Sequence, residues 1–117
     1  MIVEFDVMWG GELVASVLID EDKRKFKIKN FSDNFIKNPM LNLDTYNYLY
    51  SFLDSRRYSQ GRPNRKSLFP EGIEGYRWKE LRYTKGRDYD DLTWFRFKGD
   101  KSYWDEEQHK VIDIESN

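Results

Sequence analysis

Residues 3–31 read VEFDVMWGGELVASVLIDEDKRKFKIKNF, and this stretch decides the fold. Val3, Phe5, Val7 and Trp9 fall on one parity with Glu4 and Asp6 between them, the period-two pattern of a half-buried strand. Gly10-Gly11 supplies the tolerance of positive φ that a tight hairpin needs. Leu13, Ala15, Val17 and Ile19 alternate again, which predicts a second strand folded back on the first. The polar run Asp20 to Arg24 turns the chain once more, and Phe26, Ile28 and Phe31, with lysines between them, predict a third strand. The expectation is a three-stranded antiparallel meander.

A sheet with one apolar face needs a cover. Tyr46, Leu49, Tyr50 and Leu53 recur at i, i+3, i+4 and i+7 behind the capping residues Asn42 and Asp44, which predicts a helix. Pro63 suits a first helical position, so a short helix is expected from Pro63 to about Phe69, stopped by Pro70 and Gly72. A further helix is expected over Tyr76 to Thr84, with Gly86 at the left-handed cap. Residues 92–97 read as a strand returning to the sheet, with Trp94 on one parity and Phe95 and Phe97 on the other. The fold class is therefore α+β, a meander packed by two or three short helices. Residues 1–99 are expected to form one domain, followed by an acidic extension over 100–117 that is either an edge strand or a partly mobile tail.

The chain has 117 residues, enough for one core. Leu, Ile, Val and Phe number 29, above the range of disordered chains, and 20 aromatics supply an unusual share of burial. No uncharged run comes near the ~20 apolar residues that cross a bilayer, and a cytoplasmic location is expected. The absence of cysteine removes disulfides, thiolate zinc sites and thiol nucleophiles. His109 is the single histidine, so the usual imidazole-based metal and general-base arrangements lose most of their candidates.

Asp88, Asp90 and Asp91 lack the spacing of a calcium loop, and the simpler reading is a turn whose acids pair with Arg82 or Arg87. Asp105, Glu106 and Glu107 beside His109 read as a solvated acidic face. Gly10-Gly11 has no later glycine or Lys-Ser/Thr to make a phosphate cradle. No metal, cofactor or catalytic residue is expected, and the chain is not expected to be an enzyme.

The formal charge is −1, but it is unevenly distributed. Residues 1–22 carry six acids and no base, residues 56–87 carry ten bases against three acids, and residues 100–117 carry six acids against two bases. In the basic segment cations interleave with Tyr58, Tyr76, Trp78 and Tyr83, a composition that serves either an acidic protein partner or a nucleic-acid single strand. The acid-rich ends suit imitation of phosphate charge. Arg57, Tyr58, Arg62, Arg65, Lys66, Arg77 and Lys79, with Asp105, Glu106 and Glu107, are the expected partner-binding residues. Trp9, Arg56, Gly86, Asp91 and Trp94 are the expected structural ones, with Arg56 pairing Asp91 and Trp94 filling the space between helix and sheet.

From Phe52 onward, Phe52-Leu53-Asp54-Ser55-Arg56, Arg62, Thr84-Lys85-Gly86-Arg87, Asp91 and Trp94-Phe95-Arg96-Phe97, with Val14-Ala15 in the hairpin, resemble a small bacterial and phage-borne family. That family loosely resembles the N-terminal region of HipA-like kinases. Ser59 stands where the family often carries proline. The resemblance spans residues 3–97 and implies an accessory or regulatory piece rather than a kinase core. The expected function is non-catalytic binding that inhibits or regulates a larger protein or ribonucleoprotein by occlusion, for example an anti-CRISPR-like inhibitor of a defence nuclease or an antitoxin-like regulator of a HipA-type kinase. Single-stranded nucleic-acid binding through residues 56–87 is the alternative.

Overall fold

The computed structural model describes residues 1–57, 69–87 and 91–114. The order of elements is β1 (Ile2–Trp9), β2 (Glu12–Asp20), β3 (Lys25–Asn30), α1 (Tyr46–Ser55), α2 (Arg77–Thr84), β4 (Thr93–Phe97), β5 (Ser102–Asp105) and β6 (Lys110–Asp113). β1 to β4 form an antiparallel sheet in the spatial order β3-β2-β1-β4, and β5 pairs only with β6. This is an α+β architecture containing the expected meander, with β4 added beside β1. Among the described residues no helix is long and apolar enough to cross a membrane.

Alternation dictates the layers. Val3, Phe5 and Val7 of β1, Val17 and Ile19 of β2, and Phe95 and Phe97 of β4 are buried together with Leu49 and Leu53 of α1 and Leu81 of α2. The apolar sheet face is thus covered by helices, as its composition requires. Phe5 lies 4.8 Å from Phe95 and 5.3 Å from Phe97 by ring centroids, so aromatics fill the middle of this layer.

Trp94 corrects the expectation that it fills the space between helix and sheet. Because Phe95 and Phe97 face the helices, the period of two sends Trp94 to the opposite face. There it is fully buried with Met8 and Trp104, and its indole N–H donates to the carbonyl of Gly10 at 2.8 Å. Trp104 belongs to β5, so the segment after Gly99 forms its own hairpin and caps the second face instead of adding an edge strand to the main sheet.

Other differences are local. Thr45, rather than Asn42 or Asp44, caps α1 by accepting from the backbone N–H of Tyr48. The expected helix from Pro63 lies outside the described residues except for Phe69. At the end of α2 both Lys85 (φ 58°) and Gly86 (φ 64°) are left-handed, so the reversal uses two residues and not Gly86 alone.

The β1–β2 register shifts at Val7/Met8, where Val7 opposes Ala15 and Met8 opposes Leu13. Val14 is the extra residue of this bulge. Its carbonyl is freed from the ladder and meets the backbone N–H of Phe31 at 2.9 Å, that of Ser32 at 3.2 Å and the Asn38 amide at 3.1 Å. The loop after β3 therefore hangs from a defect in β2.

Candidate functional site

Among the described residues of the basic segment, most cations are engaged within the fold. The Arg57 guanidinium meets Glu80 in a two-point fork, with Nε at 2.9 Å from Oε1 and a terminal nitrogen at 3.1 Å from Oε2. Glu80 is fully buried and also accepts from the backbone N–H of Gly75. Arg77 forks onto Asp54 at 2.6 and 3.1 Å, tying α2 to α1. Arg56 contacts Asp91 at 2.5 Å while donating to the carbonyls of Gly86 and Thr93. Lys85 reaches Asp100, and Arg87 donates to the carbonyls of Asp91 and His109. Arg82 lies over the Phe97 ring.

Of the residues expected at a partner surface, Arg57 and Arg77 are thus engaged inside the fold. Lys79 is exposed, stacked over Tyr76 at 4.6 Å. Tyr58, Arg62, Arg65 and Lys66 lie outside the described residues. Asp105 accepts from the backbone N–H groups of Glu107 and Gln108, shaping the β5–β6 turn, while Glu106 and Glu107 are exposed. Trp9 packs half-buried against the helix-side core.

A polar cluster joins α1, α2 and the β2–β3 turn. Glu21 Oε2 accepts both the Tyr50 hydroxyl at 2.6 Å and the Trp78 indole N–H at 3.0 Å. Burial, reinforced by the hydrogen bond to Glu21, pushes the Tyr50 hydroxyl above its ordinary value, so Tyr50 remains a neutral donor. Tyr50 stacks on Tyr46, with Arg77 over one ring and Arg24 over the other.

The hydrogen bonds from Arg77 hold Asp54 below its ordinary value of 3.8. A depressed carboxylate contributes stability that is fully present above the ordinary value and is lost as pH falls through the folded value. Stability is therefore expected to fall with acid from about pH 4 downward. Asp54→Asn is expected to lower the urea midpoint at neutral pH and to flatten this acid limb. Partial exposure of the pair limits the loss to about 1 kcal/mol. An Asp54→Asn variant whose acid limb keeps the parent's slope would remove Asp54 as its source.

Exposed cations and the two most exposed large apolar side chains among the described residues come together in the segment from β3 to residue 38. Lys25, Lys27 and Lys29 are exposed on alternate positions of β3, and among the described residues none of them has an ion-pair partner. On the same face, the two acids of β1 are already matched: Asp6 takes Arg96 of β4 at 3.0 Å and Ser16 of β2 at 2.8 Å, and Glu4 takes Lys98, just past β4, at 3.5 Å. A hollow of about 670 Å³ lies over this part of the sheet.

Beyond β3, Phe35 is 73% and Ile36 79% exposed. Their turn is held firmly. Asn34 Oδ1 accepts from the N–H of Ile36 at 2.9 Å, and the Asn34 carbonyl accepts from the N–H of Asn38 at 2.9 Å. Asn38 is buried, with its amide nitrogen near the carbonyls of Val14 and Ser32 and Oδ1 of Asn30, while Lys37 bonds Glu12 at 3.0 Å. Two large apolar side chains thus project from a pre-organised turn. The sequence signal was present: Phe-Ile inside the polar run Ser32 to Asn38 matches neither strand nor helix periodicity.

Among the described residues no three His, Asp or Glu side chains stand where they could hold a metal ion together. The chain matches no family model, no curated protein and no solved structure.

Proposed function

We propose that this chain is a non-catalytic module that binds a larger protein and regulates it by occlusion, with Phe35 and Ile36 as the anchoring pair. The observation that carries this reading is an exposed apolar pair on a turn fixed by Asn34 and Asn38. Burying large apolar side chains that are already held in place yields binding energy without the ordering cost of a flexible loop. The neighbouring lysines of β3, which have no ion-pair partner among the described residues, steer an acidic partner toward the tip. An accessory role of this kind is what the family resemblance implies.

The test is affinity purification from the native host with the full chain and with Phe35→Ser/Ile36→Ser, followed by titration with the co-eluting protein. Both side chains are exposed, so the double variant is expected to keep its urea midpoint. It is expected to lose about 2 kcal/mol of binding, roughly thirty-fold in Kd. An apolar anchor resists salt, whereas phosphate contacts weaken steeply with it. Binding that vanishes between low and moderate salt and ignores the double substitution would refute the reading in favour of nucleic acid.

A further inference from the structure

The two outer edges of the main sheet are treated differently. At β4, the N–H of Phe95 donates to the carbonyl of Lys85 at 2.6 Å, and Arg56 donates to the carbonyl of Thr93, so the end of α2 and an arginine close that edge. At β3, among the described residues, the backbone is paired to β2 alone. A row of unpaired main-chain donors and acceptors is a template for another strand.

The side chains along this edge have a definite chemistry. Lys25, Lys27 and Lys29 point to the outer face, while Phe26 and Ile28 face the core layer and remain half-buried there. A groove of about 440 Å³, lined by Leu18, Lys25, Phe26, Lys27 and Tyr46 among others, takes residues from both faces and so wraps the edge. Lysines on an edge strand usually guard against self-pairing. Two copies of β3 side by side would face like charges at short range, which disfavours a dimer through this edge. The same row favours a strand carrying acids at the matching positions.

The geometry points to β3 as a strand-addition site for an extended segment of a partner protein, about six residues long, with acidic side chains on one parity and apolar ones on the other. The main-chain ladder supplies affinity, the acids meet Lys25, Lys27 and Lys29, and the apolar residues extend the cover over Phe26 and Ile28. This inference rests on the protein-binding reading above and assigns it a recognition mode.

The test uses the full chain, labelled with ¹⁵N, and three defined probes: a capped peptide of about eight residues alternating Glu and Val, the same peptide with Lys for Glu, and oligothymidylate. The Glu/Val peptide is expected to bind and to slow hydrogen exchange at amides of residues 25–30. Lys27→Glu/Lys29→Glu is expected to weaken it by about tenfold and to bind the Lys/Val peptide instead. This exchange of preference separates lost recognition from lost folding. The inference is overturned if the Glu/Val peptide does not bind at millimolar concentration, if the protected amides lie outside β3, if charge reversal leaves the preference unchanged, or if oligothymidylate competes the peptide away. A host partner that depends on Phe35 and Ile36 but is indifferent to the β3 charges overturns strand addition alone and leaves the module's binding role intact.

Discussion

Arg57→Met is expected to lower the unfolding free energy by about 3–5 kcal/mol, because it removes the two-point, charge-assisted fork that Arg57 makes with the buried carboxylate of Glu80. Glu80 is inaccessible to solvent and Arg57 nearly so, with side-chain exposures of 0% and 14%. Methionine keeps much of the aliphatic volume, so the loss reports the missing fork more than a cavity. For a domain of ordinary stability, ~5–15 kcal/mol, this approaches the unfolding threshold at room temperature. The second half of the prediction is the rescue. Arg57→Met/Glu80→Leu removes both charges of the fork, also releases the N–H of Gly75, and is expected to recover part of the loss. Urea denaturation of the two variants at neutral pH decides it. A single variant within about 1 kcal/mol of the parent, or a double variant no better than the single, would mean that the fork between Arg57 and Glu80 does not carry the stability assigned to it.

Gly86→Ala is expected to cost about 3–5 kcal/mol, combining a left-handed backbone with overpacking. Gly86 has φ 64°, and a Cβ placed on it would overlap the edge of the buried Phe95 ring. Phe95 has little room to move, since it packs against Phe5 and Phe52 and its own N–H is tied to the carbonyl of Lys85. The carbonyl of Gly86 also accepts from Arg56, so a shift of this turn disturbs the group that closes the β4 edge. Gly99→Ala is the matched comparison, because Gly99 has φ 92° with open space around it. Backbone strain alone predicts about 1–2 kcal/mol there. Thermal or urea unfolding of the two variants separates strain from steric overlap, and equal losses would show that the Phe95 contact contributes nothing.

These two residues mark how far the sequence could be read. The role of Gly86 followed from local features, a helical stripe ending in a residue suited to positive φ. The same holds for the meander, where alternation over residues 3–28 needs no knowledge of distant partners. The pairing of Arg56 with Asp91 was expected from a cation at a helix C-terminus and an acid among the positions that carry the family resemblance, and the two side chains are in contact. Arg57 was not legible in this way. Its exposed-looking neighbourhood of cations suggested a partner surface, yet its fork to Glu80 joins residues 23 positions apart, one just past the end of α1 and one within α2.

The candidate surface was missed for the same reason in reverse. Lys25, Lys27 and Lys29 read as the solvated side of a strand, which they are, but their freedom becomes informative only once Arg56, Arg57, Arg77, Lys85 and Arg96 are seen to be engaged. Phe35 and Ile36 carry no periodicity that distinguishes an exposed pair from a buried one. Their exposure depends on the Val14 bulge and on Asn38, whose hydrogen bonds reach back to β2.

Hydrophobic period, turn residues and caps are properties of neighbouring positions, so the amino-acid order alone determined the meander, the two described helices and the opposite parities of Trp94 and of Phe95 and Phe97, but not which of those parities faces the helices. Which charges are neutralised, which sheet edge is closed and which apolar side chains stay in water depend on groups far apart in the chain brought within about 3 Å of one another. Only the tertiary structure decided those, because electrostatic and hydrogen-bond partners are chosen by distance in space and leave no repeat in the sequence.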